Sequence, residues 1–233
     1  MLQDIFHVDT LKISTKQEIL VDIQFSISSS LALIGQSGSG KSLTLKAILD
    51  MLPSQLNKQF IYKSDFELNS STIAYVPQNP FTSLSPLTKI KKQFFCSKEK
   101  QIKLLNIVNV NPVVLNKFPI QLSGGQLQRI IIAIALSSDP KLLLLDEPTT
   151  ALDSKNKKII IDILNKIKQK LNLKILFVTH DIKSVEDICE DIAILKNGKI
   201  CEYGKLKDII TNPQNSYTKQ LLSSSFQNRE FRK

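Results

Sequence analysis

Residues 35–42, Gly35-Gln36-Ser37-Gly38-Ser39-Gly40-Lys41-Ser42, gather three of the chain's seven glycines, a lysine and a closing hydroxyl into one octapeptide. The spacing G-x-x-x-x-G-K-[ST] suits the binding of a phosphate chain. Glycines let the backbone wrap so that successive N–H groups point inward at an anion. A helix beginning near Lys41 would add its positive end. Lys41 would reach the outer phosphates as a point charge. The Ser42 hydroxyl is placed to ligate Mg2+, a hard ion that prefers oxygen. A second set, Asp146 and Glu147, closes the apolar run Leu142–Leu145. The first carboxylate can support the metal through water, and the second can polarise an attacking water. A third set, Ser123-Gly124-Gly125, opens a helix running through QRIIIAIAL. A Ser-Gly-Gly helix start is another anion site, and it need not serve the nucleotide cradled at 35–42.

These side chains need elements to hold them. ILVDIQFSI (19–27) alternates apolar and polar like a half-buried strand, and LALIG (31–35) is a short apolar run entering the glycine loop. A helix is predicted over 41–52 and a strand over 71–76, stopped by Pro77. KLLLLD (141–146) and KILFVTH (174–180) read as strands buried on both faces. Ile160, Leu164, Ile167 and Leu171 recur at helical spacing within 154–172. Asn197-Gly198 marks a hairpin. The stretch from about 85 to 140 has no convincing strand and reads as helices and loops. The expected class is α/β, with a mostly parallel core sheet, antiparallel strands near the N-terminus and a helical insert.

The chain has 233 residues, 42% hydrophobic and 22% charged, enough for a real core and against disorder. We expect a single domain over 1–233, with the insert at about 85–140 and a short tail at about 205–233. The formal net charge is +10. Its lysines are scattered rather than blocked, which suits a solvated surface. A local basic segment (Lys89, Lys91, Lys92, Lys98, Lys100, Lys103) is either a solvated helix face or a contact for anionic lipid or a permease loop. Three cysteines at unrelated spacings make neither a disulfide framework nor a zinc site, which fits a reducing compartment. No apolar run is long enough to span a bilayer, and MLQDIFHVDT is not a secretory signal, so any place at a membrane is expected through another subunit.

Leu122-Ser123-Gly124-Gly125-Gln126 completes a wider pattern. The chain resembles the nucleotide-binding subunit of an ATP-binding-cassette (ABC) transporter, a P-loop NTPase, along nearly its whole length. The motifs stand in that family's order: the Walker A loop at 35–42, a glutamine loop at Gln78, LSGGQ at 122–126, Walker B at 142–146 with Glu147, a D-loop-like Ala151-Leu152-Asp153, and His180 in VTHD, similar to the switch histidine. The resemblance implies ATP and Mg2+ as cofactors. It implies Gly35 to Ser42 on the phosphates, with Ser42, Asp146 and Gln78 on the metal side. Glu147 is then the general base, Gln78 senses the metal or water and couples to the permease, and His180 contacts the γ-phosphate. Ser123, Gly124, Gly125 and Gln126 serve the ATP of a second, head-to-tail cassette. The implied partners are that second cassette (identical or not), two transmembrane permease subunits and an extracytoplasmic solute-binding protein, with no nucleic acid. The implied place is peripheral, on the cytoplasmic face of the inner membrane.

Gln78-Asn79-Pro80 with Ser83-Leu84-Ser85-Pro86, and the tail Asn212-Pro213 to Leu222, are similar to the dipeptide, oligopeptide and nickel importer branch. The chain carries no cysteine after Cys201, which is more similar to a nickel-type cassette. The function implied is ATP hydrolysis driving import of nickel, a metal chelate or short peptides. The alternative is a non-transport ABC ATPase acting on nucleic acid or ribosomes. The chain departs from the family at one place. No aromatic occurs between Asp9 and Gln24, where a ring would stack on adenine, and the nearest are Phe6 and Phe25. Weak base discrimination is therefore expected, with Phe6 or an aromatic from another subunit as the rival stacking residue, and a tyrosine at Ile13 is expected to tighten ATP if the backbone there approaches the site.

Overall fold

The computed structural model describes residues 5–150 and 152–227. In chain order its strands and helices are β1 (Phe6–Ser14), β2 (Ile19–Ile27), β3 (Ser30–Ile34), α1 (Lys41–Ile48), β4 (Asn57–Lys63), β5 (Ile73–Val76), α2 (Lys98–Ile107), α3 (Gly124–Ala135), β6 (Leu142–Asp146), α4 (Ser154–Leu171), β7 (Lys174–Thr179), β8 (Asp191–Lys196), β9 (Lys199–Lys205), α5 (Leu206–Thr211) and α6 (Ser216–Gln227). They fall into two compact units, one made of the chain up to Glu67 and from Lys174 onward, the other of Leu68–Leu173. The second unit is wider than the helical stretch at 85–140, because β5, β6 and α4 belong to it.

In the first unit an antiparallel sheet has the order β2-β1-β4. Along β2 the alternation is unbroken, with Val21, Ile23, Phe25 and Ile27 all buried. Along β1 the buried positions change parity, from Phe6 and Val8 to Leu11 and Ile13. A register shift after Val8, against both β2 and β4, absorbs the extra residue and returns the apolar side chains to one face. The sequence pattern does not announce β4, whose only large ring positions are Phe60 and Tyr62; pairing with β1 makes it a strand.

The second sheet of this unit has the order β7-β3-β8-β9. β7 and β8 run parallel to β3, and β9 folds back antiparallel on β8. All five residues of β3 and all six of β7 are buried, as expected for strands covered on both faces. The β8–β9 turn is Asn197-Gly198, with φ of 48° and 73°, the left-handed pair that a two-residue hairpin requires. A Cβ at Gly198 would stand 2.0 Å from the Leu20 carbonyl oxygen. Gly198 N–H also donates to Ser39 O at 3.0 Å, so this turn braces the glycine loop. Gly198→Ala is expected to destabilise the protein by about 2 kcal/mol or more, from the left-handed penalty plus the clash. That lowers Tm by roughly 4–8 °C for a chain of this size. A melting curve superimposed on wild type would refute the bracing role.

α1 is shorter than the sequence suggested. It stops at Ile48, where Asp50 takes φ 57°. Met51 N–H then bonds Lys46 O at 2.8 Å and Asp50 N–H bonds Ala47 O at 3.3 Å, a Schellman closure. Asp50 is further fixed by an ion pair with Lys58.

In the second unit β5 and β6 pair in parallel, and α3 packs against α2 and β5. β5 starts at Ile73 rather than residue 71, because the Asn69 side chain accepts the Ser71 and Thr72 N–H groups and holds a turn there. On α4, Ile160, Leu164 and Ile167 are buried as their spacing implied, whereas Leu171, at the helix end, is 49% exposed. The basic segment is partly engaged within this unit: Lys89 lies over the Phe118 ring, Lys91 bonds Asn116 and Lys100 pairs with Asp139. No helix among the described residues is long and apolar enough to cross a membrane.

Candidate functional site

Ile34 of β3 stands opposite Thr179 of β7. The loop 35–42 and His180 therefore leave the carboxyl ends of two adjacent parallel strands, the edge at which open α/β sheets bind ligands. Gly38 and Gly40 have φ of 79° and 109°, a backbone that side chains rarely adopt. Gly35 is required for a different reason: a Cβ there would lie 2.3 Å from Leu195 O. Lys41 is 7% exposed, and its ammonium donates to Gly35 O at 2.7 Å and Gln36 O at 2.9 Å. α1 begins at Lys41 with no side-chain cap at Gly40, so its first N–H groups suit an anion. The Ser39 hydroxyl is buried and has no hydrogen-bond partner among the described residues. A buried hydroxyl left unpaired costs about 1–3 kcal/mol, which an incoming ligand oxygen would relieve. Ser42 is exposed in the first turn of α1, and Gln36 and Ser37 are exposed at the loop's tip. The loop thus fits a phosphate chain by glycine geometry, cation and unpaired donor together. His180 is exposed, one residue beyond β7.

In the second unit Val76 of β5 stands opposite Leu145 of β6, so Gln78 and the pair Asp146–Glu147 also emerge at carboxyl strand ends. Gln78 Nε2 and Thr150 Oγ1 both donate to Glu147 Oε2, at 3.4 Å and 2.9 Å. Glu147 has φ 46°, a left-handed backbone at a non-glycine residue and so a local strain. Tyr75 Oη donates to Asp146 Oδ2 at 3.1 Å. Burial first, and then the Asp146 carboxylate, push the Tyr75 phenol well above its ordinary pKa, so it stays a neutral donor. Sequence reasoning missed Tyr75 and Thr150. Strand alternation carried a signal for the first, because Tyr75 pairs with Leu144 and so shares a sheet face with Asp146.

Ser123 is the N-cap of α3 in a reciprocal capping box: its hydroxyl accepts the Gln126 N–H, and Gln126 Oε1 accepts the Ser123 N–H. The Gln126 side chain is thereby committed to the helix start, while the Ser123 hydroxyl, an acceptor in the box, can still donate its own proton to an anion. Gly125 is forced by packing, since a Cβ would lie 2.6 Å from Asn156 Oδ1. Asn156 in turn bonds Asp153, the N-cap of α4, which ties the signature helix to the segment after Walker B. Of the D-loop-like segment, Ala151 lies outside the described residues.

Phe6 and Phe25 are 0% and 3% exposed. The Phe6 ring packs on Phe66 and Tyr62, with centroids 6.1 Å and 5.8 Å away. Phe6 is a core residue of the first sheet and cannot stack on a base. Ile13 is also wholly buried, so a tyrosine placed there would overpack the sheet rather than meet a nucleotide. With neither ring available, GTP is expected to bind within a few-fold of ATP. Base–aromatic stacking is worth about 1–3 kcal/mol, so a stacked adenine would appear as an ATP preference of roughly 5- to 150-fold in paired titrations and would overturn this expectation.

The glycine loop at the carboxyl ends of the parallel strands β3 and β7 is the arrangement of a phosphate-binding α/β domain. Comparison with known proteins gives the family. A family model described as "ABC transporter" matches residues 20–150, and a second, described as "AAA domain, putative AbiEii toxin, Type IV TA system", matches residues 118–186. The oligopeptide transport ATP-binding protein OppD of Bacillus subtilis is 34% identical over 83% of this chain and 62% of its own length. The dipeptide transport ATP-binding protein DppD of Caldanaerobacter subterraneus is 36% identical over 83% of this chain and 68% of its own length. The metal-staphylopine import system ATP-binding protein CntD of Staphylococcus aureus is 31% identical over 90% of this chain and 88% of its own length. A solved ATP-binding subunit of an ABC transporter superposes with a TM-score of 0.75 at 23% identity, covering 95% of this chain and 99% of that one. The cbiO1 structure from Clostridium perfringens gives 0.76 at 24%, covering 90% and 92%. These two show the fold. The chain belongs to the ABC transporter family, as a member of its ATP-binding domain class. It spans about three fifths of the length of the oligopeptide relative.

Proposed function

We propose that this chain hydrolyses ATP and that the hydrolysis powers import of a small solute, a metal chelate or a short peptide, through partner permease subunits at the inner face of a membrane. The observation that carries the proposal is the loop at 35–42, with its buried Lys41 and unpaired Ser39 hydroxyl at the carboxyl edge of a parallel sheet. In this reading the loop holds the phosphates, Glu147 takes a proton from the attacking water, and Gln78 senses the metal or that water and couples to the permease. His180 contacts the γ-phosphate, and Ser123 and Gly125 serve the ATP of a second cassette. Ser42, Asp146 and Gln78 would hold Mg2+, which when bound neutralises charge on the outer phosphates. The relatives' names supply the solute classes, oligopeptide, dipeptide and metal-staphylopine.

The test is reconstitution in liposomes with permease subunits of the peptide and metal-chelate importer classes, a solute-binding protein and ATP on the cassette side. ATP-dependent uptake of either labelled nickel chelate or labelled peptide is expected, and the preferred solute decides between the classes. ATP turnover with no uptake of either would remove the transport reading.

A further inference from the structure

Tyr217, the second residue of α6, is 6% exposed, and its hydroxyl accepts the Gln36 N–H at 3.2 Å. That N–H belongs to the peptide whose carbonyl, Gly35 O, accepts the Lys41 ammonium at 2.7 Å. One peptide of the glycine loop is therefore held from both sides, by the cation and by the phenol. The tail that delivers Tyr217 is itself pinned. The Glu202 carboxylate on β9 accepts Gln214 N–H at 2.7 Å and Asn215 N–H at 3.2 Å. Asn215 Oδ1 accepts the Tyr217 N–H at 2.9 Å, and Asn215 Nδ2 donates to Cys201 O at 3.3 Å. The Lys196 ammonium sits 4.7 Å from the centre of the Tyr217 ring.

A lysine ammonium has three donors and two of them go to Gly35 O and Gln36 O here, so turning toward the several oxygens of a phosphate takes donors from those carbonyls. When Lys41 makes that turn, the Gly35–Gln36 peptide loses its hold on the carbonyl side and keeps the one at the N–H. We propose that Tyr217 is a positioning residue for nucleotide binding. Its hydroxyl keeps the Gly35–Gln36 peptide in place while Lys41 moves from the loop carbonyls to the phosphates. The tail at 212–222 is then a structural part of the ATP site. This inference rests on the reading of residues 35–42 as the ATP phosphate site.

The experiment measures Kd for a non-hydrolysable ATP analogue with Mg2+, and KM and kcat for ATP, in wild type, Tyr217→Phe, Tyr217→Ala and Lys41→Ala. Amide hydrogen exchange at Gln36 is followed in the same proteins. Tyr217→Phe keeps the ring and its packing and removes only the acceptor. One hydrogen bond of this kind corresponds to about a three- to tenfold rise in Kd and KM, with kcat at saturating ATP within about twofold and faster exchange at Gln36. Tyr217→Ala is expected to weaken binding further, as the ring beside Lys196 is also lost. If that variant does not fold, Tyr217→Phe still decides. Unchanged Kd in Tyr217→Phe, with Lys41→Ala losing the nucleotide, overturns the role of Tyr217 and leaves the loop assignment standing. A fall in kcat at unchanged Kd and KM overturns it too. Wild-type affinity in Lys41→Ala overturns the loop assignment itself.

Discussion

Glu147→Gln is expected to lower ATP turnover by about 10²–10⁴-fold, the usual worth of a general base, while ATP remains bound. Glutamine keeps the shape of glutamate but cannot accept a proton. The structure sharpens the expectation. Glu147 Oε2 accepts Thr150 Oγ1 at 2.9 Å and Gln78 Nε2 at 3.4 Å, and a glutamine oxygen can accept the same donors. The strained backbone at φ 46° also stays filled by a side chain of equal size. The variant should therefore fold as wild type and accumulate as an ATP-bound dimer, visible by size-exclusion chromatography with Mg2+ and ATP. Turnover within a few-fold of wild type would remove Glu147 from the role.

Ser123→Arg is expected to abolish hydrolysis at the partner cassette's loop, by about 10²-fold or more if the lost contact behaves like an oxyanion donor. Nucleotide binding at the variant's own loop should stay within a few-fold. Purified alone, the wild-type chain should turn over slowly, with a rate per mole that rises with concentration. Ser123 has a structural duty as well, since it caps α3, and loss of such a cap costs about 0.5–2 kcal/mol. Ser123→Ala provides the comparison, because it loses the cap without adding bulk. The shared-site model requires that Ser123→Arg lose far more activity than Ser123→Ala at similar thermal stability. Loss of nucleotide at its own loop in Ser123→Arg would refute that model.

The loop at 35–42 was legible in the sequence because its chemistry is local. Gly38 and Gly40 occupy left-handed backbone, and Lys41 opens a helix that needs no side-chain cap when its ligand is an anion. The same holds for the helix start at Ser123, the Asn197-Gly198 turn and the apolar runs within β3, β6 and β7, each set by neighbours in the chain. Tertiary structure decided what pairing and packing decide. Register put Tyr75 on Asp146, across 71 residues, and the fold of the tail put Tyr217 on Gln36, across 181. The shift in β1 returned Leu11 and Ile13 to the face that buries Phe6, which removed both Phe6 and position 13 from the nucleotide's reach. No local propensity encodes these outcomes, because a strand's register and a buried face exist only once the partner strand is in place.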